Sequence, residues 1–143
     1  MQAVSSKFGG LYYPLSELPV HIQSALQFRG LLFDKGDQGC EVAGINRDWP
    51  NGRGIYCNED FSLVIWVNQQ DHIKIIANEC NGGDLNSLLG KMAEIHTVLD
   101  GVLKFQKDDS LGYLTTSPAD LGTGLQIKVD LYLPFIKENE LEQ

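Results

Sequence analysis

Between two apolar runs the chain reads Asn68-Gln69-Gln70-Asp71-His72, with Lys74 two residues on. A carboxylate, an imidazole and an ammonium this close in sequence are groups that move protons and hold anions. The two amides between them accept hydrogen bonds but carry no charge and cannot act as bases. His72 has two readings, a proton-transfer group or a turn histidine bonded to its neighbours. Further along, Ser117 stands before Pro118, a hydroxyl that becomes a nucleophile only with a base beside it. The glycine-rich run from Ala119 to Gly124 offers backbone N–H groups that can cradle an anion. Cys40, Cys57 and Cys80 are odd in number, widely spaced and in no Cys-x-x-Cys or Cys/His pattern. They read as reduced thiols of a cytosolic protein, and no metal site is expected.

The elements that must position these groups follow from periodicity. From Gly54 to Glu79 the chain is dense in Ile, Val, Trp, Tyr and Phe and broken at Asn58-Glu59-Asp60 and at Asn68-Gln69-Gln70-Asp71, which predicts three strands in an antiparallel meander. From Leu85 to Leu103 apolar residues recur at three- and four-residue steps, predicting an amphipathic helix from Asp84 to Lys104 with Asp84 as N-cap. A shorter helix is expected from Ser16 to Leu26, with Pro19 in its first turn. Leu31–Phe33 is a strand candidate followed by the turn "DKGDQG", and "RDWPNGRG" is turn chemistry. "LGYLTT" reads as a fourth strand. Residues 125–133 alternate Leu125, Ile127, Val129, Leu131 and Leu133 with polar positions, a strand with one buried face. The class is α+β, a mainly antiparallel sheet with helices packed on its apolar face.

At 143 residues the chain is the size of one domain, residues 1–143, ending in a solvated acidic tail from about residue 137. Hydrophobic residues make up 43% and charged residues 21%, and the formal net charge is −8. Three arginines (Arg29, Arg47, Arg53) stand against eight lysines. Nucleic acid and anionic membrane surfaces are therefore excluded as partners. No apolar run is long enough to span a bilayer, and Met1–Gly10 has neither the charge nor the apolar core of a signal peptide.

The phrases "YYPL", "DWPNGRGIYCN", "VIWVNQQDHIKII", "GGDL" and "LGYLTTSPADLGTGL" occur in this order, and together they resemble the phosphagen kinases, the creatine and arginine kinase family. The resemblance runs from about Gly9 to about Ile136. It implies the middle of that family's glutamine-synthetase-like catalytic domain, where Mg-ATP phosphorylates a guanidino compound. It also implies a truncated core, since the helical domain and phosphate-binding arginines expected before this region, and the mobile loop expected after it, are not in these residues.

Such phosphoryl transfer needs positive clamps on the phosphates and carboxylates on the guanidinium. The family turn reads Asn-Glu-Glu-Asp-His, its second Glu gripping the guanidinium; Gln70 stands there. A phosphate-holding Arg aligns with Lys74, which keeps the charge without the planar fork. The family's Thr-Cys-Pro thiolate aligns with Ser117. An Arg and, four residues on, a His align with Gln126 and Asp130, and a nucleotide-contacting His aligns with Gly30. The matching positions are of another kind: Trp66, Asn68, Asp71, His72, Gly82, Gly83, Gly112, Tyr113, Pro118, Leu121, Gly122, Thr123 and Gly124.

Each lost charge costs roughly 2–4 kcal/mol of transition-state stabilisation, so two suffice to make turnover negligible. The expectation is a catalytically inactive, phosphagen-kinase-like module with a structural or protein-binding role, needing no cofactor. Its degenerate catalytic positions are Gln70, Ser117 and Asp130, and its degenerate nucleotide positions are Gly30, Lys74 and Gln126. Unpaired sheet edges call for a protein partner or a second copy of the chain. A cytoplasmic or cytoskeletal assembly, such as a ciliary axoneme, is the setting such a module fits. The alternative is a divergent ATP:guanidino phosphotransferase, or a segment of one, that uses Mg-ATP.

Overall fold

The computed structural model describes residues 1–79 and 83–130. Cys80, Gly82, the end of the expected 125–133 strand and the acidic tail lie outside the described residues. Two compact units divide the chain, the first up to Gln106 and the second from Lys107.

In the first unit, helix α1 (Gln2–Phe8) leads into strand β1 (Leu11–Pro14) and helix α2 (Val20–Phe28), followed by a short helix α3 (Gln38–Val42). Strands β2 (Gly54–Cys57), β3 (Leu63–Val67) and β4 (Ile73–Ala77) follow, then helix α4 (Leu85–Asp100). The sheet has the order β1-β2-β3-β4 and every pairing is antiparallel. The expected meander is therefore present, widened by β1, which pairs Tyr12 with Tyr56 and Pro14 with Gly54. Asparagines close both hairpins, one through its side chain and one through its backbone. Asn58 Oδ1 accepts from Leu63 N–H at 2.9 Å, and Asn68, at φ +56°, donates its N–H to the His72 carbonyl at 2.9 Å. Asn tolerates this left-handed geometry better than most residues.

Alternation along the strands divides the core in two. Tyr56, Leu63 and Ile65 face one way and pack with Val4 of α1 and Ile95 and Leu99 of α4. Ile55, Cys57 and Val64 face the other way and pack with Leu26 of α2, Leu31 and Phe33. Cover thus reaches both faces of the sheet, beyond the single helical layer expected. α4 begins as expected, the Asp84 carboxylate accepting from Asn86 and Ser87 N–H at 3.0 and 3.3 Å, and ends at Asp100.

Five local expectations are corrected. Leu31 and Phe33 are buried but Leu31–Phe33 is no strand, because Leu31 has no ladder groups to give. Its N–H closes α2 on the Leu26 carbonyl at 2.8 Å, and its C=O accepts from Trp66 Nε1 at 2.9 Å. The helix around Pro19 starts at Val20, Leu15–Glu17 forming a separate 3-10 turn. "DKGDQG" is a helix start as well as a turn, Asp37 Oδ1 capping α3 through Cys40 N–H at 3.0 Å.

The last two corrections lie in the second unit, where "LGYLTT" contributes only strand β6 (Gly112–Tyr113), paired with β5 (Lys107–Asp108). Beyond it the backbone bonds locally: Tyr113 N–H donates to the Gly122 carbonyl at 2.8 Å and Thr115 Oγ1 to the Ser117 carbonyl at 2.8 Å. Gly112, at φ +76°, lies so close to Gly122 that a Cβ would meet its carbonyl oxygen at 2.4 Å. Residues 125–130 form no strand, and Val129 is 69% exposed. Alternation specifies which face of a strand is apolar; the ladder itself needs a neighbour, and no described strand pairs with these residues.

Candidate functional site

In the first unit, two of the sequence-derived positions, Lys74 and Gly30, lie by one indole, that of Trp66. Lys74 pairs with Trp66 across β3 and β4, and its Nζ lies 5.2 Å from the Trp66 ring. Trp66 reaches back to the Leu31 carbonyl, next to Gly30. Trp66 also packs on Phe33 at 5.2 Å, Phe33 meets Trp49 edge-on at 5.9 Å, and the Arg53 guanidinium lies 5.7 Å from Trp49. The result is an aromatic ladder with a cation at each end. Cation–π contact of this kind is worth about 0.5–1 kcal/mol at an exposed site. The cross-strand pairing of Trp66 with Lys74 was implicit in the hairpin register; the ladder's other rungs join segments that only the fold brings together.

Gly30 has a specific backbone task. It follows α2 at φ +66°, its N–H donating to the Gln27 carbonyl at 3.1 Å while Leu31 N–H donates to Leu26. This pair of bonds is the glycine-dependent termination in which the last carbonyls of a helix are satisfied. Gly30→His should therefore cost about 1–2 kcal/mol for left-handed backbone and confer no ATP affinity. Chemical denaturation and calorimetric titration check both halves.

The turn carrying Gln70 is built by its neighbours. Asn68 Nδ2 donates to the Gly52 carbonyl at 2.8 Å, and Asn68 Oδ1 lies 3.2 Å from His72 Nδ1. His72 is thus a turn histidine held by a side-chain amide. Gln70 is half-buried on this turn, with a contact of its own.

Two of the three arginines are committed elsewhere. Arg29 Nη1 donates to the Asp60 carbonyl at 3.0 Å with its guanidinium over Phe61. Arg53 Nη1 donates to the Arg47 and Asn51 carbonyls, each at 2.7 Å, and its Nη2 to Ile45. Burial pushes the Cys57 thiol up, and burial first, then Asp37, pushes the Cys40 thiol up. Neither is poised as a thiolate nucleophile.

In the second unit, Ser117 precedes a 3-10 turn, Pro118–Asp120, and makes no side-chain cap bond. No histidine or cysteine occurs from Lys107 onward to serve as its base. Gln126 Nε2 donates to the Asp120 carboxylate, which places negative charge beside the glycine-rich loop. Lys128 and Asp130 form an exposed ion pair at 3.3 Å. Among the described residues no cluster of three or more His, Cys, Asp or Glu could hold a metal ion, and no helix is long and apolar enough to cross a membrane.

The family model for ATP:guanido phosphotransferase, C-terminal catalytic domain, matches residues 1–143. The chain is 38% identical over 139 residues to an arginine kinase of Anthopleura japonica, covering 97% of this chain and 19% of that one. It is 36% identical to an arginine kinase of Polybetes pythagoricus, covering 92% of this chain and 36% of that one. Among solved structures, the duplicated taurocyamine kinase from Schistosoma mansoni, with bound transition state analog components, superposes with a TM-score of 0.75 at 34% identity. That match covers 85% of this chain and 17% of that one. A lombricine kinase gives a TM-score of 0.75 at 30% identity, over 86% of this chain and 36% of that one. The chain thus spans between about a fifth and two fifths of the length of these relatives.

Proposed function

Because the chain belongs to the ATP:guanido phosphotransferase family, matching its C-terminal catalytic domain, we propose that it is catalytically inactive, a catalytic-domain core reused as a structural or protein-binding module. The observation that carries this reading is the use of the arginines. Two of the three arginines, Arg29 and Arg53, donate to backbone carbonyls, and Lys74 and Gln126 stand at the positions that align with phosphate-holding arginines of the family, so these two guanidinium forks serve the chain's own backbone. The six altered positions support it. Gln70 has no charge with which to hold a guanidinium, Gly30 ends a helix, Lys74 rests on Trp66, and Gln126 and Asp130 bond within their own segment. Ser117 has no histidine or thiol near it in sequence. No bound nucleotide or metal is required by this role, and an assembly in the cytoplasm or on the cytoskeleton, an axoneme included, is the setting it fits.

Calorimetric titration with Mg-ATP, ADP, arginine, creatine and taurocyamine tests it. No heat of binding is expected at millimolar ligand, and micromolar affinity or any phosphoryl transfer overturns the reading.

A second reading, a segment of a divergent ATP:guanidino phosphotransferase, is favoured by the 38% identity to an arginine kinase. It expects turnover once the remaining parts of a relative are supplied in trans or by fusion. A folded fusion that stays inert refutes it.

A further inference from the structure

Of the asparagines in the described residues, only Asn51 precedes a glycine. Glycine has no side chain to hinder its own nitrogen from reaching the carboxamide before it. Gly52 stands at φ +71°, and among the described residues no atom beyond its chain neighbours lies within 4 Å of where a Cβ would be. Neither its N–H nor the Asn51 carboxamide makes a hydrogen bond with a described residue. Asn46, Asn58, Asn68 and Asn78, by contrast, each spend the side chain on a hydrogen bond. The fold grips the peptide group between Asn51 and Gly52 at its oxygen. The Asn51 carbonyl accepts from Arg53 Nη1 at 2.7 Å, and one residue on the Gly52 carbonyl accepts from Asn68 Nδ2 at 2.8 Å. When the Gly52 N–H gives up its proton, the negative charge is shared with the Asn51 carbonyl oxygen, the atom the guanidinium already holds. A fixed cationic donor where charge develops lowers the barrier to that step.

We propose that Asn51 is a self-modification site, at which the folded turn, through Arg53, converts the asparagine to isoaspartate. Hydroxide takes the Gly52 amide proton, and the electron pair left on the nitrogen attacks Asn51 Cγ. The Cγ–Nδ2 bond breaks and Nδ2 leaves as ammonia, taking its proton from water, so that a five-membered succinimide remains. Water then adds to the former Asn51 backbone carbonyl, whose oxygen Arg53 polarises. The bond from that carbon to the Gly52 nitrogen breaks and the nitrogen recovers a proton. The carbon becomes a carboxylate beside the guanidinium, and the main chain now runs through Cγ. The product carries one more negative charge and one more methylene in the main chain that enters β2. Every step lies within the first unit and consumes only water.

The whole chain is incubated in mildly alkaline buffer, sampled over time, digested with trypsin and mapped by mass spectrometry, with fragmentation that separates aspartate from isoaspartate. A synthetic peptide of residues 47–56 is the unfolded reference. Trypsin places Asn51 and the other Asn-Gly pair, Asn81-Gly82, on different fragments. Asn51 is expected to convert at least threefold faster in the chain than in the peptide and to give a larger share of isoaspartate. Arg53→Ala should lose that acceleration, and Asn51→Gln should leave the fragment unconverted. The comparison of the parent chain with the peptide needs no variant, so it stands whatever Arg53→Ala does to folding. An acceleration below threefold, an isoaspartate share no larger than the peptide's, or an acceleration that survives Arg53→Ala overturns the proposal.

Discussion

Trp66→Ala should destabilise the first unit by about 3–5 kcal/mol, the range for removing a large aromatic from a packed site. Three losses coincide at this side chain. The ring packs against Phe33 and the cluster around Leu26, Val64 and Ile55, so truncation leaves a void. The indole N–H that satisfies the Leu31 carbonyl disappears, and a carbonyl stripped of its donor costs about 1–3 kcal/mol if it stays dry. Lys74 loses the surface on which its ammonium rests. Trp66→Phe separates these effects: it keeps most of the packing and removes the hydrogen bond, so a loss nearer 1–2 kcal/mol is expected. Urea denaturation followed by far-ultraviolet circular dichroism measures both, Trp49 fluorescence serving as an independent probe. Equal effects of the two substitutions would show that the hydrogen bond alone carries the site. A loss under 1 kcal/mol for the alanine would show that the ladder does not hold the sheet to the segment after α2.

What the sequence made legible was what is encoded locally. The alternation and breaks of Gly54–Glu79 determined three strands and their turns, and the spacing from Leu85 onward together with the Asp84 carboxylate determined α4 and its start. What it concealed depends on partners distant in the chain. The apolar run at Leu31–Phe33 has strand composition, but Trp66, far along the chain, takes the Leu31 carbonyl. The pattern at 125–130 states a face without supplying a neighbour. Strand β1 was hidden because "LYYP" is short and ends in proline, which suits an edge whose outward position needs no donor. The candidate site divides in the same way. That Gln70, Lys74, Ser117, Gln126 and Asp130 depart from the family pattern was an expectation the resemblance supplied by position alone. That Gly30 sits where a helix ends left-handed, a backbone requirement that favours glycine, needed the coordinates.

Arg53→Ala should cost about 3 kcal/mol and loosen the segment from Ile45 to Arg53, while leaving ligand affinity at zero. One guanidinium there gathers the carbonyls of Ile45, Arg47 and Asn51 and lies over the Trp49 ring at 5.7 Å. Hydrogen bonds from a charged donor contribute about 1.5–3 kcal/mol each, and three sharing one donor group add incompletely. Water can reach part of this turn and will recover some of what alanine removes, which keeps the expected loss well below the sum. Arg53→Lys tests geometry against charge. An ammonium keeps the positive end of the aromatic ladder but lacks the fork that reaches several carbonyls at once, so it should recover less than half of the loss. Hydrogen exchange should show faster opening of residues 45–53 in the alanine variant, with α4 amides slowed or hastened only as far as global stability changes. The competing role for an arginine in this family's fold is a clamp on phosphate. That role predicts the reverse pattern, little change in the unfolding midpoint and a measurable Mg-ATP affinity in the parent chain that the substitution abolishes.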